Sequence, residues 1–429
     1  MASTSLTDAK SAELYARAVQ RLPGGVNSPV RAMRAIGRDP LFIDRAEGAE
    51  IVDVDGNRFV DYVCSWGPLI HGHAHPQILA AISEAASRGT TFGAPTAGEV
   101  QIAEEVARRV PGIEMLRMTS SGTEAAMSAI RLARAVTGRE KLLKFAGAYH
   151  GHLDGLLAQA GSGLATAGIP TSPGVPAAAT ANTIIVPWND GEAVVAACAK
   201  HDFAAILAEP YPANMGLVPP YEDFLQLLRN QADATGALLV FDEVISGFRV
   251  AVGGAQEREG VTPDLTVLGK IIGGGLPAAA YGGSRALMDH IAPAGDVYQA
   301  GTLSGNPLAV AAGLTTLALL DDGAYLTLAG VTETLAEGLR AAAGDVPVQV
   351  IAVPGLITVF FSEYPVYDYA GAQGCDLGAH AGWVRALLAR GVYAPPSQFE
   401  AWFPSLAHTP EHLERTVDAA AAAFAEIAP

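Results

Sequence analysis

The chain has 429 residues, 50% of them hydrophobic and 17% charged, which is enough apolar mass for one large buried core and a smaller one. Its formal net charge of −17 argues against a general binder of nucleic acid or anionic membrane, and it obliges an anionic ligand to find local positive charge. Cys64, Cys198 and Cys375 are odd in number, far apart and without a CxxC pair, which excludes a disulfide framework or cysteine zinc site and fits a reducing compartment, the cytoplasm.

The opening MASTSLTDAKSAELYARAVQRLPGG mixes acids and bases in an amphipathic helical pattern and has no apolar signal core. FIDRAEGAEIVDVDGNRFVDYV then reads as a small strand set, with Asp55-Gly56 marking a hairpin. In LIHGHAHP, His71, His73 and His75 have no carboxylate or cysteine partner at ligand spacing, and the Gly and Pro mark a turn, so no metal site is expected.

Between about residue 55 and 305 short apolar runs alternate with helical patterns, as in an α/β fold whose parallel sheet is covered by helices on both faces. The runs are KLLKF, TIIVP, AAILAE ending at Glu209, ALLVFD ending at Asp242 and LTVLGK ending at Lys270. In RMTSSGTEAAMSAIRLARAVTG a glycine-containing turn, Ser120 to Thr123, feeds a helix whose Ala126, Ala129, Ile130 and Ala133 keep helical spacing. Free N–H groups, the dipole end, Gly122 and the hydroxyls of Ser121 and Thr123 suit a phosphate; the same residues suit an ordinary capped helix. Tyr149 and His150, in AYHGH after KLLKF, read by themselves as core aromatics. From Ala158 to Asn182 there is no charged residue and much Gly, Ala, Ser, Thr and Pro, a segment too long for an ordinary connection and expected to act as a lid.

Lys270 ends an apolar run and opens into the glycine tract IIGGGLP. A desolvated lysine loses its proton readily and can condense with an aldehyde cofactor, and Asp242, one helical crossover upstream, is placed to keep a pyridine nitrogen protonated. Together with the turn at Ser120 to Thr123, the pair points to a pyridoxal phosphate site at the carboxyl ends of strands. The uncharged run from Ser304 to Leu320 contains Asn306 and Pro307 and reads as the start of a long buried helical stretch, not a membrane span. Strand-like QVIAVPGLITVFFSE, a helix near Ala379 to Arg390, strand-like GVYAPP and a helix from Glu411 to Ala428 follow, as in an α+β domain. The expected division is an N-terminal segment, 1–54, a large domain, 55–308, and a small C-terminal domain, 309–429.

In this order, SSGTEAAMSAIRLAR, KFAGAYHGH, FDEVISGFRVA, LGKIIGGGLPAAAYGG and YQAGTLSGNP resemble the class III aminotransferases, fold-type I pyridoxal phosphate enzymes. GGVNSPVRA, VCSWGP, SQFEAWF and AGSGLATAGIPTSPGVP extend the likeness to the aminomutase branch, from about Leu22 to about Phe403. The resemblance implies a mainly parallel seven-stranded sheet between helices and a homodimer. It implies pyridoxal 5'-phosphate cycling with pyridoxamine 5'-phosphate, and conversion of glutamate-1-semialdehyde to 5-aminolevulinate for tetrapyrrole synthesis. It also raises a transient contact with the reductase that supplies this unstable substrate.

By the same resemblance Lys270 and Asp242 are catalytic, and Ser121, Gly122, Thr123, Tyr149, His150 and Val244 join them around the cofactor. Thr302 reaches the cofactor phosphate of the neighbouring subunit. Ser28, Arg31, Trp66, Asn214 and Glu400 form the substrate pocket, and the segment at 158–182 is the flap. A guanidinium at Arg31 grips a distal carboxylate bidentately. The chain departs from the family pattern in EPYPANMG, where a triplet like Val-Val-Gly is usual before NMG, and at Ala126 and Ala148. The rival readings are an intermolecular aminotransferase of a β- or ω-amino acid and a cofactor-binding protein without turnover. Intact Lys270, Asp242 and Tyr149 speak against the second.

Overall fold

The computed structural model describes residues 6–159, 169–170 and 172–427. The expected lid therefore lies partly outside the described residues. Its described start and a later dipeptide pair as two short antiparallel strands, β6 (Ala158–Gln159) and β7 (Ile169–Pro170).

The other strands run in chain order as β1 (Ile43–Glu47), β2 (Glu50–Asp53), β3 (Arg58–Asp61), β4 (Met115–Thr119), β5 (Lys141–Phe145), β8 (Thr183–Val186), β9 (Phe203–Ala208), β10 (Leu238–Glu243), β11 (Leu265–Leu268), β12 (Ala279–Gly283), β13 (Gln349–Val353), β14 (Leu356–Phe360) and β15 (Val392–Tyr393). Seven of them form the main sheet, in the order β4-β12-β11-β10-β9-β5-β8. All run parallel except β12, which is antiparallel to both its neighbours.

The central strands are continuously apolar because both faces are covered, and alternate residues feed two cores. Leu143, Ile206, Leu239 and Phe241 join a cluster with Trp188, Phe203 and Phe224. Leu142, Ala205, Leu207 and Val240 join the opposite cluster, built on the buried alanine face of the helix Gly122–Thr137. The expected runs at Lys141, Thr183, Phe203, Leu238 and Leu265 are strands. Sequence reading did not mark β4 and β12. β4 carries Arg117, whose guanidinium is held by Gln299 Oε1 at 3.0 Å and Ala292 O at 2.8 Å. β12 is AAYGG, made of weak strand formers; a Cβ on Gly282 would meet Met115 O at 2.7 Å, so only glycine fits there.

The second sheet has the order β1-β2-β3-β15, its first three strands antiparallel and β15 parallel to β3. The Asp55-Gly56 turn joins β2 and β3, and Asp53 Oδ1 accepts from Asp55 and Asn57 N–H at 3.0 and 2.8 Å. Chain beginning and chain end thus share a sheet. They also share a core, in which Met33, Ile36, Val60 and Tyr62 pack with Trp383, Trp402 and Phe424. The expected long helix after Pro307 is two, Pro307–Ala318 and Asp322–Ala343, bent by 81°. The break comes where Asp321 turns its carboxylate to the N–H of Ala324 at 2.8 Å and caps the second helix. No single helix among the described residues is long and apolar enough to cross a membrane.

Candidate active site

The carboxyl ends of the parallel strands deliver the chemistry, as open α/β sheets do. β9, β10 and β11 are successive neighbours, and Glu209 follows the first, Asp242 lies near the end of the second and Lys270 follows the third. β4 leads into Ser120 to Thr123 and β5 into the loop of Tyr149 and His150. Ser121, Gly122, Thr123, Tyr149, His150, Asn214, Asp242, Val244 and Lys270 line one cavity of about 390 Å³. That volume suits a small-molecule cofactor.

Ser121 caps the helix Gly122–Thr137, accepting from Glu124 N at 3.3 Å, while Glu124 Oε2 accepts from Ser120 N at 2.8 Å. The helix start is therefore both capped and directed into the cavity, so the two readings of this turn do not compete. A Cβ on Gly122 would lie 3.1 Å from Val244 Cγ2, and one on Gly269 3.2 Å from Val244 Cγ1. The two glycines let Val244 press between the helix start and the approach to Lys270.

His150 Nδ1 lies 2.8 Å from Asp242 Oδ2, both side chains being buried, and Val244 N donates to Asp242 Oδ1 at 3.1 Å. His150 Nε2 is buried without a partner among the described residues. Asp242 is thus oriented from behind. Sequence reasoning missed Glu209 as a site residue. Its carboxylate accepts from Tyr149 N at 2.7 Å, Ala213 N at 3.2 Å and Asn214 Nδ2 at 2.9 Å, and burial raises its pKa. The signal was available, since AAILAE ends on its carboxylate as ALLVFD ends on Asp242.

Lys270 sits at φ +50°, the left-handed region that a side chain enters only when its surroundings force it. Removal from bulk water pulls its ammonium pKa well below the usual lysine range, against the carboxylates of Glu400, Glu209 and Asp242, which push it up. Glu400 responds in the opposite sense: burial raises its carboxyl, and Lys270 draws it back. Lys270 Nζ stands 5.9 Å from the Phe403 ring centroid, and Arg249 Cζ stands 5.2 Å from the same ring.

Arg249 is completely buried and has no carboxylate partner among the described residues. It donates to Gly355 O at 3.0 Å, to Pro404 O at 3.2 Å and to Gly67 O, and burial pulls its pKa down to about 10. In VISGFRVA it carries no assigned role; its burial is seen only in the tertiary structure. The carbonyl of Gly67 ends a strained turn in which Cys64, Ser65 and Trp66 have φ of 44°, 58° and 69°. Asp61 holds the turn's other end by accepting from Val63 N at 2.8 Å and Cys64 N at 3.1 Å. A Cβ on Gly67 would lie 3.5 Å from Lys270 Cδ, so this turn, which carries the half-buried Trp66, packs directly on the lysine.

Ser28 and Arg31 lie on the turn Pro29–Ala32 and its cap, and Thr302 on an exposed loop; none of these, nor Trp66 or Glu400, lines the cavity. Arg31 is exposed and makes no ion pair among the described residues. Two of the three histidines of LIHGHAHP serve the fold: His71 Nε2 lies 3.0 Å from Thr316 O and His73 Nε2 2.7 Å from Asp61 Oδ2. No group of three His, Cys, Asp or Glu among the described residues is placed to hold a metal ion.

The family described as aminotransferase class-III matches residues 33–422. The chain is 54% identical to the glutamate-1-semialdehyde 2,1-aminomutase of Desulfosudis oleivorans, over 98% of this chain and 100% of that one. It is 55% identical to that of Roseiflexus castenholzii, over 97% and 98%. Among solved structures it is similar to an omega-transaminase from Sphaerobacter thermophilus, with TM-score 0.91, 36% identity and 97% of each chain covered. It is also similar to a variant glutamate-1-semialdehyde-aminomutase from Pseudomonas aeruginosa PAO1 in complex with PMP, with TM-score 0.87, 28% identity and 98% and 95% covered.

Proposed function

The chain belongs to the class-III aminotransferase family, and on that premise we propose that it converts glutamate-1-semialdehyde to 5-aminolevulinate for tetrapyrrole synthesis, an isomerisation by intramolecular amino transfer. The observation that carries the reading is identity of 53–55% over nearly the whole chain to relatives with that activity. The backbone alone does not separate the rivals, because an omega-transaminase superposes as well as an aminomutase does. Sequence identity, which tracks pocket side chains, separates them.

Pyridoxal 5'-phosphate, cycling with its pyridoxamine form, supplies the exchangeable amine and a ring that holds the electron pair released when a C–H bond ionises. The helix start at Ser121, Gly122 and Thr123 offers its phosphate free N–H donors and hydroxyls. Asp242, steered by His150, keeps the pyridine nitrogen protonated, and Val244 and Tyr149 bound the ring. Lys270 takes a proton from one carbon and returns it to another, a task that suits an amine whose pKa is lowered by burial. By the family resemblance, Arg31, with no anionic partner of its own, and Ser28, both outside the cavity lining, would hold the substrate's distal carboxylate; Asn214 lines the cavity, and the Trp66 turn and Glu400 stand close to Lys270.

We place the enzyme in the cytoplasm, where Cys64, Cys198 and Cys375 stay as the buried free thiols they are here. Supplying the semialdehyde to purified, cofactor-loaded protein without any amino donor or acceptor tests the activity. The expected result is many turnovers of 5-aminolevulinate per enzyme. A single turnover that resumes only when a keto acid or second amine is added would identify an intermolecular aminotransferase instead.

A further inference from the structure

The departure EPYPANMG has a structural partner set of its own. Tyr211 is buried, 4% exposed, with its ring in an apolar cluster that contains Ala213, Leu217, Ala401 and Phe403. Its hydroxyl donates to Glu259 Oε1 and accepts from Arg258 Nε at 2.9 Å. Both partners end the short helix Gly254–Glu259. The start of that helix is fastened to β10, because Glu243, next to Asp242, accepts from Ala255 N at 2.6 Å and from Gln256 N and Nε2 at 3.2 and 3.0 Å.

At its other side Tyr211 sits at the apex of a turn whose first residue closes it: Glu209 Oε2 accepts from Ala213 N at 3.2 Å and Asn214 Nδ2 at 2.9 Å. Pro210 and Pro212 flank the tyrosine and fix φ on both sides, so a pull on the hydroxyl is passed to the turn and not absorbed by it. The turn also leads to the wall near Glu400, since Gly216 N donates to Phe399 O at 2.9 Å. A continuous path therefore runs from the strand of Asp242 through Glu243, the short helix and Tyr211 to Asn214 in the cavity.

We propose that Tyr211, clamped by Glu259 and Arg258, is a positioning residue that sets the register of Asn214 against the cofactor strand and so governs how tightly substrate is held. The substrate arm of this inference rests on the aminomutase reading above; the conformational arm does not.

The test uses Tyr211→Phe, Glu259→Ala and Glu259→Gln in the cofactor-loaded enzyme. The measurements are KM and kcat for glutamate-1-semialdehyde, thermal midpoint, and hydrogen–deuterium exchange of the peptide spanning 210–216. Tyr211→Phe and Glu259→Ala are expected to raise KM about tenfold with kcat within about twofold, the pattern of lost uniform binding through a charged hydrogen bond. Exchange in 210–216 rises with them. Glu259→Gln keeps an acceptor oxygen and restores both readouts. Unchanged KM and exchange in Tyr211→Phe overturn the proposal, and so does a lowered midpoint with KM unchanged, which would make the tyrosine packing alone. If the unaltered enzyme does not turn over the semialdehyde, the functional reading fails, and exchange of 210–216 still decides the clamp.

Discussion

Two lysines near the site are withdrawn from water, Lys144 buried and Lys270 half-buried, and their surroundings give them different work. Lys144, on β5, points away from Leu143 and Phe145 and donates to Ala148 O at 3.2 Å and Leu156 O at 3.1 Å. Burial pulls its pKa down to about 8, with Glu209 pushing back. Its amine is committed to fastening the loop of Tyr149 and His150. The Lys270 amine makes no hydrogen bond among the described residues, and the residue lines the cavity, which leaves it free for chemistry. Lys270→Ala should keep the fold and lower turnover by about 10²–10⁴-fold, the range for a lost general acid–base group. Borohydride reduction of the unaltered enzyme with pyridoxal phosphate, followed by peptide mass, should find the label on residue 270. A label on Lys144 would reverse the assignment.

At the scale of elements, the helix Leu377–Ala389 shows how burial writes pH dependence into the fold. Its His380 lies between Phe361 and Trp383, and loss of hydration pulls its pKa from 6.5 to about 4. Above pH 6.5 folded and unfolded states are both neutral at this site and its stability contribution is complete. As pH falls below 6.5 the unfolded chain gains a proton that the folded helix refuses, so stability is lost progressively until about pH 4. Buried Glu209 and Glu243, whose carboxyls are raised, act with the opposite sign, so the histidine is isolated by difference. His380→Leu should reduce the stability lost between pH 7.5 and 4.5 by about 2 kcal/mol, read from urea unfolding at both pH values. Equal losses in the two proteins would refute this.

The whole molecule carries large apolar side chains on its surface. Phe92, Tyr298 and Leu303 are 53%, 72% and 52% exposed, and Tyr298 and Leu303 flank the exposed loop of Thr302. Single exposed apolar residues need no explanation, but Tyr298 and Leu303 lie along the chain on either side of Thr302, which the family resemblance gives to a neighbouring subunit's cofactor phosphate, and we propose that a second copy of the chain covers them. Sedimentation equilibrium should give twice the 44.2 kDa of one chain, and Thr302→Ala should weaken cofactor retention with the dimer intact. A monomer with full cofactor retention and full turnover would refute the shared site.

Periodicity and punctuation in the sequence determined the elements and the strand-end groups. Apolar runs buried on both faces are legible because a parallel sheet leaves them no solvent side; Asp242 and Lys270, which singly read as readily as a helix cap and a solvated loop residue, point to a site only together with the turn at Ser120 to Thr123. The motif resemblance supplied Val244, Asn214 and Glu400, for which spacing alone offers no signal. Strands β4 and β12 were not legible, since an arginine held by distant carbonyls and a glycine-rich strand fitted against a neighbour's backbone contradict local propensity. Only the tertiary structure joined the first strands to the last one in a single sheet, buried Arg249 beneath the Trp66 turn, and set Tyr211 against Glu259 and Arg258. These are contacts between residues far apart in the chain, and their energies depend on who is brought near and what water is removed, quantities that no local pattern of residues contains.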